Sequence, residues 1–491
     1  MCARYAATNK TGGDSYFFKY IGLILSIGAA VSFCLVILKM IDMGIDFTSG
    51  RLFIFVLADI GLILISFVFV ASGLINKNFG LRFGTIALAA LLLFINLFIE
   101  SNLRVVDDWV GTVTAPRTTG AVEYSIIAQR SSNIELTKKN SVRAGIQNSD
   151  VLRDELEKEV NRLTDASFDG FDNLGEMVKA IEANNLDIAI VQSAILKVWA
   201  EYFPEEYTSL TVLKTFKAGT DKSASSVANV KIDITKPFII YICGLDSEGD
   251  IDTMVARSDF NMLVCVDPER YKILMVSTPR DYYVQLHGTK GLRDKLSHAG
   301  IYGMDMCVQT MYDLYGVEAN YNALINFNTI VELVDSIGGI NVNNPKTFTL
   351  WGQTYKEGVI WLNGDMALLF SRARKTVEGG DIGRQSNQQL VIEAILARVT
   401  EPKVALGYQY ILKAIEPHFR SNIPPTVITQ LFSRQISLGG DWSVEKMVAL
   451  GTPAEKPTYS MGEQELDVVI PDERSLQEIR NAIYDFMHPS N

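Results

Sequence analysis

Three long apolar runs crowd into the first hundred residues, and they constrain everything that follows. Tyr20 to Leu38, Leu52 to Ile75 and Phe83 to Ile99 are the runs. Each is near the roughly 17–25 residues with which a helix crosses a hydrocarbon core. The N-terminal part is therefore expected to sit in a membrane. A cleaved signal peptide is the alternative for the first run, but no small-x-small cleavage site is clear and two more spans follow. Arg4, Lys10 and Lys19 precede the first run, and Lys77 and Arg82 lie between the second and third. The link between the first two carries Lys39 and Arg51 against Asp42 and Asp46, so the bias is modest. It places the N-terminus in the cytoplasm and everything after Ile99 outside. Asp59, inside the second run, reads as a packed, protonated residue or as a helix–helix contact.

The remaining sequence is too long for one ordinary domain. Residues 1–100 form the cytoplasmic N-terminus and the three spans, and 101–120, polar with Pro116 and a Thr/Gly cluster, suits a linker. Residues 121–218 read as a small α/β accessory domain. Strand patterns cover Tyr124–Ala128 and Asp187–Val191, and helical patterns cover Ser149–Leu163, Leu174–Glu182 and Ala194–Tyr202. A Ser/Ala/Lys-rich linker over 219–235 leads to the last domain, 236–491. There, strands are expected at Pro237–Cys243, Asn261–Val266, Lys272–Val276 and Asn320–Ile325. Helices are expected at Ser297–Tyr315, Asn328–Ile337, Gly364–Lys375, Gln385–Thr400 and Glu473–Phe486. Alternation of strands and helices argues for a sheet covered by helices. The fold class is thus a membrane-anchored α/β chain.

Five cysteines do not make a disulfide framework in a chain of this size. Cys2 and Cys34 belong to the membrane portion, and Cys243, Cys265 and Cys307, in apolar stretches, read as small buried hydrophobes. No Cys/His spacing suggests zinc.

Arginines are the informative residues of the last domain. They recur beside aspartates in Gly244-Leu-Asp246, Arg257-Ser-Asp259, Ser277-Thr-Pro-Arg280-Asp281, Ser371-Arg372-Ala-Arg374 and Gly380-Asp381-Ile-Gly-Arg384. Arginine stays charged and needs partners, so it is a poor residue to concentrate in a core. Its planar fork matches phosphate oxygens bidentately, and several near carboxylates suggest a metal–pyrophosphate site. The chain's net charge is −11, so a polyanion would be drawn by this cluster and not by the bulk field. Asp246, Arg257, Asp259 and Arg280 all fall at strand ends, where α/β sheets hold ligands. Arg372 and Arg374 do not share a helical face, so both reach one ligand only if the helix ends between them.

These segments, with Lys295-Leu-Ser-His-Ala299 and Asn363-Gly-Asp-Met-Ala367, resemble in order the LytR–CpsA–Psr glycopolymer transferases of Gram-positive envelopes. The likeness covers Lys236 to Asn491, and three spans with an accessory domain resemble the capsule-type members. It implies an α/β/α domain with a mixed central sheet and an apolar groove for a polyprenyl chain. It also implies magnesium-dependent (or manganese-dependent) transfer of a glycopolymer, capsular polysaccharide or teichoic acid, from a polyprenyl-pyrophosphate carrier to a peptidoglycan hydroxyl. Carried onto this sequence, Asp246 and Asp259 match the metal-binding aspartates. Arg257, Arg280, Arg372, Arg374 and Arg384 match the pyrophosphate-gripping and catalytic residues, with Lys295 and Gln388 as further members. Asp381 matches an aspartate beside that cluster, either a general base or the residue that orients Arg384. Two departures stand out: Asn387 and Ser247-Glu248 occupy positions where members often carry arginine.

Two rivals stay open. One is a membrane-bound regulator of envelope gene expression, although no basic helix occupies the short cytoplasmic segments and no nucleic-acid partner is expected. The other is a polyprenyl-pyrophosphate hydrolase. His298 is expected to pack or cap, not to act as a base.

Overall fold

The protein is described by a computed structural model, covering residues 11–43, 45, 50–75, 79–114, 122–148, 150, 152–219, 234–245, 251, 256–378, 380–399, 401 and 408–489. Two compact units emerge, Met1–Thr114 with Ile423–Asp441, and Ala115–Asn422 with Trp442–Asn491.

The first unit holds α1 (Thr11–Asp42), α2 (Gly50–Ile75) and α3 (Phe79–Val113). Their stretches Tyr20–Asp42, Gly50–Ser72 and Phe83–Val113 are long and apolar enough to cross a membrane. The exposure is inverted relative to a water-soluble bundle. Ile24, Leu64 and Phe94 lie on the outside, while Ser26, Ser66 and Asn96 are buried. Ser26 and Ser66 share a hydrogen bond of 2.6 Å, and Asn96 donates to the Ala29 carbonyl at 3.4 Å, polar contacts of the kind that hold membrane helices together. The expected linker at 101–120 is corrected over its first part, because α3 continues to Val113. Val106, Trp109, Val110 and Val113 recur at helical spacing and are buried, and Lys39 pairs with Asp107 between α1 and α3. Residues 115–121 lie outside those described. The helix Pro425–Leu438 also groups with this unit, which interrupts the single C-terminal domain expected over 236–491.

The second unit opens with β1 (Val122–Gln129), β2 (Ser141–Gln147), α4 (Arg153–Leu163), β3 (Asp165–Phe171), α5 (Leu174–Glu182), β4 (Ile188–Gln192), α6 (Ser193–Tyr202), α7 (Pro204–Ser209) and β5 (Leu210–Ala218). The sheet order is β3-β2-β4-β1-β5. β1 and β4 were expected from their apolar runs and take central places. β3 and β5 are the edges; β3 is polar and mostly exposed, and β5 mixes apolar residues with Lys and Thr and is only partly buried, so neither gave a strand signal. Apart from Gly219 and 234–235, the expected linker lies outside the described residues.

A mixed six-stranded sheet follows, built from β6 (Phe238–Leu245), β7 (Ser258–Asp267), β8 (Lys272–Ser277), β9 (Tyr321–Asn326), β10 (Phe419–Ser421) and β11 (Ser443–Val448). Its order is β10-β9-β6-β7-β8-β11. β6 runs parallel to β9 and antiparallel to β7, and β8 is antiparallel to β7 and parallel to β11. One core joins Tyr241, Cys243, Cys265 and Val276 of the sheet to α8 (Met304–Tyr315) and to a C-terminal helix, Glu473–Met487. A second core is shared by α9 (Phe327–Ser336), α10 (Gly364–Arg372), α11 (Asp381–Val399) and the hairpins around Ile340–Leu362. Gln389 ties α11 to the sheet, donating to the Met447 carbonyl at 2.7 Å and to Ser277 Oγ at 3.1 Å. The helix expected over Ser297–Tyr315 is split: Leu296–Tyr302 is a 3-10 turn, and α8 starts only after Gly303, whose φ of 103° no helix admits.

The two sheets are joined by a common core. Ile301, Met461 and Leu466 pack with Met177, Trp199 and Phe203 of the accessory domain. Gln147 Nε2 donates to Tyr459 Oη at 3.2 Å across the same junction.

Candidate functional site

The strand ends of the six-stranded sheet supply one wall. β6 ends at Gly244 and Leu245, and the next residue, Asp246, lies outside those described. Arg257 and Asp259 flank the start of β7, and Arg280 follows β8. The 3-10 turn packs directly on the backbone that carries Arg257. A Cβ on Gly300 would lie 2.5 Å from the Ala256 carbonyl oxygen and 2.6 Å from the Ser258 nitrogen, so only glycine permits the approach. Helices supply the other walls. α10 ends at Arg372, and Ala373 is extended (φ −61°, ψ 118°), which lets Arg374 leave the helix yet reach the same space. α11 begins at Asp381 in a turn so tight that a Cβ on Gly383 would meet the Glu378 carbonyl at 2.3 Å.

These walls enclose a cavity of about 380 Å³. Arg257, Arg280, Arg372, Arg374 and Arg384 all line it, with Asp259 and Gln388. Among the described residues, five arginines thus share the lining with one carboxylate. Apart from Asn326 and Ser371, the rest of the lining is apolar, including Leu245, Phe260, Phe327, Ile330, Leu368, Val391 and Ile392, with the exposed Trp351. On α11 the lining residues are Arg384, Gln388, Val391 and Ile392. That spacing is one helix face, and over roughly 12 Å of rise it passes from cationic through amide to hydrocarbon. On α10, Leu368 likewise precedes Arg372 by one turn.

Carboxylates in and behind the wall hold the cluster in place. Asp259 pairs with Arg280 Nη1. Asp281, only 4% exposed, lies 3.4 Å from Lys295 Nζ, 3.4 Å from Arg374 Nη2 and 3.7 Å from Arg280 Nε. Burial pushes its carboxyl up, but Lys295, then Arg280, Arg374 and Arg384 together hold it below the ordinary value. Asp381 stands 2.5 Å from Arg384 and 3.6 Å from Arg374, and accepts from Gln385 at 3.0 Å. Arg372 stacks over the Phe327 ring at 4.5 Å.

The cluster remains short of negative charge. Burial lowers the Arg384 pKa, and Arg280 and Arg374 add to that against Asp381 and Asp259. The buried Nε–H groups of Arg280 and Arg384 have no hydrogen-bond acceptor among the described residues. A buried donor left unmet costs about 1–3 kcal/mol, more when charged, so such an arrangement is suited to an incoming anion.

Of the residues singled out from sequence, the five arginines, Asp259 and Gln388 come together on one cavity. Lys295 and Asp381 lie outside its lining and touch it through Asp281 and through Arg374 and Arg384. His298 is fully buried and paired with Asp294 Oδ1 at 2.7 Å. Asn387 is buried and donates to the Phe370 carbonyl at 3.1 Å, away from the cavity lining. Among the described residues no group of three or more His, Cys, Asp or Glu could by itself hold a metal. Sequence reasoning named Asp281 without giving it a role. Its position directly after Arg280 was the available signal.

The sequence model of the LytR_cpsA_psr family matches residues 207–483, more than half of the chain. The chain belongs to the LytR_cpsA_psr family. It is 34% identical over 204 residues to the polyisoprenyl-teichoic acid–peptidoglycan teichoic acid transferase TagU of Bacillus mycoides, a match that covers 41% of this chain and 66% of that protein. Against the protein of the same name from Enterococcus faecalis it is 30% identical over 261 residues, 53% of this chain and 84% of that one. Among solved structures, TagU of B. subtilis aligns with a TM-score of 0.40 at 26% identity, over 52% of this chain and 99% of that one. TagV of B. subtilis aligns with a TM-score of 0.44 at 25% identity, over 52% and 99%.

Proposed function

We propose that this LytR_cpsA_psr member transfers an anionic glycopolymer from a polyprenyl-pyrophosphate carrier to a hydroxyl of peptidoglycan. The observation that carries the reading is the single face of α11, guanidinium at one end and hydrocarbon at the other, inside a cavity ringed by four more arginines. A ligand that satisfies both ends is an amphiphile with a multiply charged anionic head. The relatives named as teichoic acid transferases support teichoic acid over capsule as the polymer class.

In this reading the sugar hydroxyl oxygen attacks the phosphorus that carries the polymer. The new P–O bond forms as the bridging P–O bond of the pyrophosphate breaks, and polyprenyl phosphate leaves, the hydroxyl proton ending on its departing oxygen or in solvent. Negative charge grows on the leaving and nonbridging oxygens, where the arginines wait with donors already oriented. Asp381 aims Arg384 and Arg374, which favours its orienting role over that of general base. A hard divalent cation such as magnesium takes one or two carboxylates and fills its remaining positions with water and phosphate oxygens. The wall carboxylate Asp259 suits that donor set, and Asp259 with Asp246 would hold the ion, which would neutralise charge on the pyrophosphate. The basic N-terminal flanks favour a site outside the bilayer.

The test is full-length protein in detergent with a lipid-linked teichoic acid precursor and purified peptidoglycan. Polymer bound covalently to peptidoglycan is the expected product. Free polymer with released carrier, unchanged by adding peptidoglycan, would make the chain a hydrolase, and no turnover at all would return it to the regulatory class.

A further inference from the structure

The last turn of α6, in the accessory domain, touches two of the basic residues of the cluster. Glu201 Oε2 lies 3.0 Å from Nη1 of Arg257, which lines the cavity. The neighbouring Tyr202 sets its ring 5.4 Å below the Lys295 ammonium, and Lys295 in turn pairs with Asp281. α6 is held in that position. Trp199 and Phe203 sit in the core shared with Ile301, Met461 and Leu466. Glu201 is therefore presented to Arg257 by a packed element and not by a loose loop.

We propose that the accessory domain takes part in ligand binding through Glu201, a positioning residue that holds the Arg257 guanidinium until a pyrophosphate displaces it. The inference rests on the reading of the cavity as a pyrophosphate site. The Glu201 side chain is 57% exposed and that of Arg257 20%, so this is a half-solvated ion pair, worth little on its own. A pyrophosphate offers several oxygens and more than one charge to the same fork, and outcompetes a single carboxylate for it. A neutral or singly charged head does so poorly. Glu201 thus raises the cost of recruiting Arg257 for every anionic head, and most for one with fewer phosphate oxygens, so its return to Arg257 helps the spent carrier, a monophosphate, to leave. Glu201 contributes no reacting atom.

The experiment is a binding cycle on the full chain in detergent with farnesyl diphosphate and farnesyl monophosphate as probes, using wild type, Glu201→Gln, Arg257→Ala and the double variant. Glu201→Gln is expected to bind both probes about 2- to 5-fold more tightly, the worth of an ion pair of this exposure, with proportionally more gain for the monophosphate. In the Arg257→Ala background the gain disappears. A merely structural Glu201 would lower the melting temperature and leave the affinities unmoved, whereas here melting stays at the wild-type value. Unchanged or weaker binding by Glu201→Gln, or a gain that survives without Arg257, overturns the inference while leaving the cavity's pyrophosphate reading intact. If wild type binds neither probe, that reading fails and the inference with it.

Discussion

Asp281→Asn removes one charge and no volume, and the structure says the consequence is large. Asp281 is 4% exposed and lies against Lys295, Arg374 and Arg280 at 3.4, 3.4 and 3.7 Å. Lys295 is itself only 6% exposed at its side chain, so it cannot turn to water once its partner is neutral. Breaking a buried ion pair from one side costs about 3–5 kcal/mol, because the other charge is left uncompensated. At roughly 2–4 °C per kcal/mol for a unit of this size, the variant should melt about 6–20 °C below wild type at pH 7. The pH dependence gives a second handle. Asp281 is held below its ordinary value of 3.8, against the push of burial, by Lys295 and the arginines. A carboxyl lowered by folding stabilises above its unfolded pKa and stops doing so as the pH falls through its folded pKa. The gap between wild type and variant should therefore stay level from about pH 5 to 8 and close only below about pH 4. Scanning calorimetry or scanning fluorimetry across that range measures it. Melting within 2 °C of wild type at pH 7 (a shift of about 1 kcal/mol or less), or a gap that widens in acid, would refute the counter-charge role given to Asp281.

Three further outcomes follow from the same geometry. Arg374→Ala should fold normally and lose about 10²–10³ of transfer rate, read in the lipid-linked precursor assay, since it removes a preoriented donor to the transferring phosphoryl group. Arg384→Met should lower stability by about 3–5 kcal/mol, because it takes the 2.5 Å partner from the Asp381 carboxylate, which is 11% exposed at its side chain. It should also weaken farnesyl diphosphate binding about 10- to 100-fold. Asp381→Asn should slow transfer while leaving in place the limb of the pH–rate profile set by the base. Disappearance of that limb would make Asp381 the base and not the aiming residue.

Much of the molecule could be read from residue order because local chemistry and final position agree. The three apolar runs became α1, α2 and α3, and the continuous apolar stretches at Phe238 and Lys272 became buried strands of the six-stranded sheet. Signals failed where tertiary contact overrides local pattern. α3 runs past its apolar run to Val113 because Trp109 and Val110 find buried positions, not because 101–113 is apolar. β3 and β5 form on sheet edges from residues that alternate weakly. The arginines were conspicuous because their charge has no place in an ordinary core. Which charged residues line the cavity and which, like Asp281, Lys295 and Asp381, support it from outside the lining was not, since that depends on the direction in which each one leaves its strand or helix end. Asp281 could be seen beside Arg280 in the sequence, but its pairing with Lys295 and Arg374 joins segments far apart in the chain. Glu201, in another domain, carried no mark at all.

The account stands on one cavity taking both a pyrophosphate and a hydrocarbon chain. An experimental structure of the full chain with a short polyprenyl diphosphate tests that claim most directly. The head should lie against Arg257, Arg280, Arg374 and Arg384, with the tail running past Gln388 toward Phe327, Val391 and Ile392. A diphosphate bound elsewhere, or a tail directed into solvent away from α11, would contradict it.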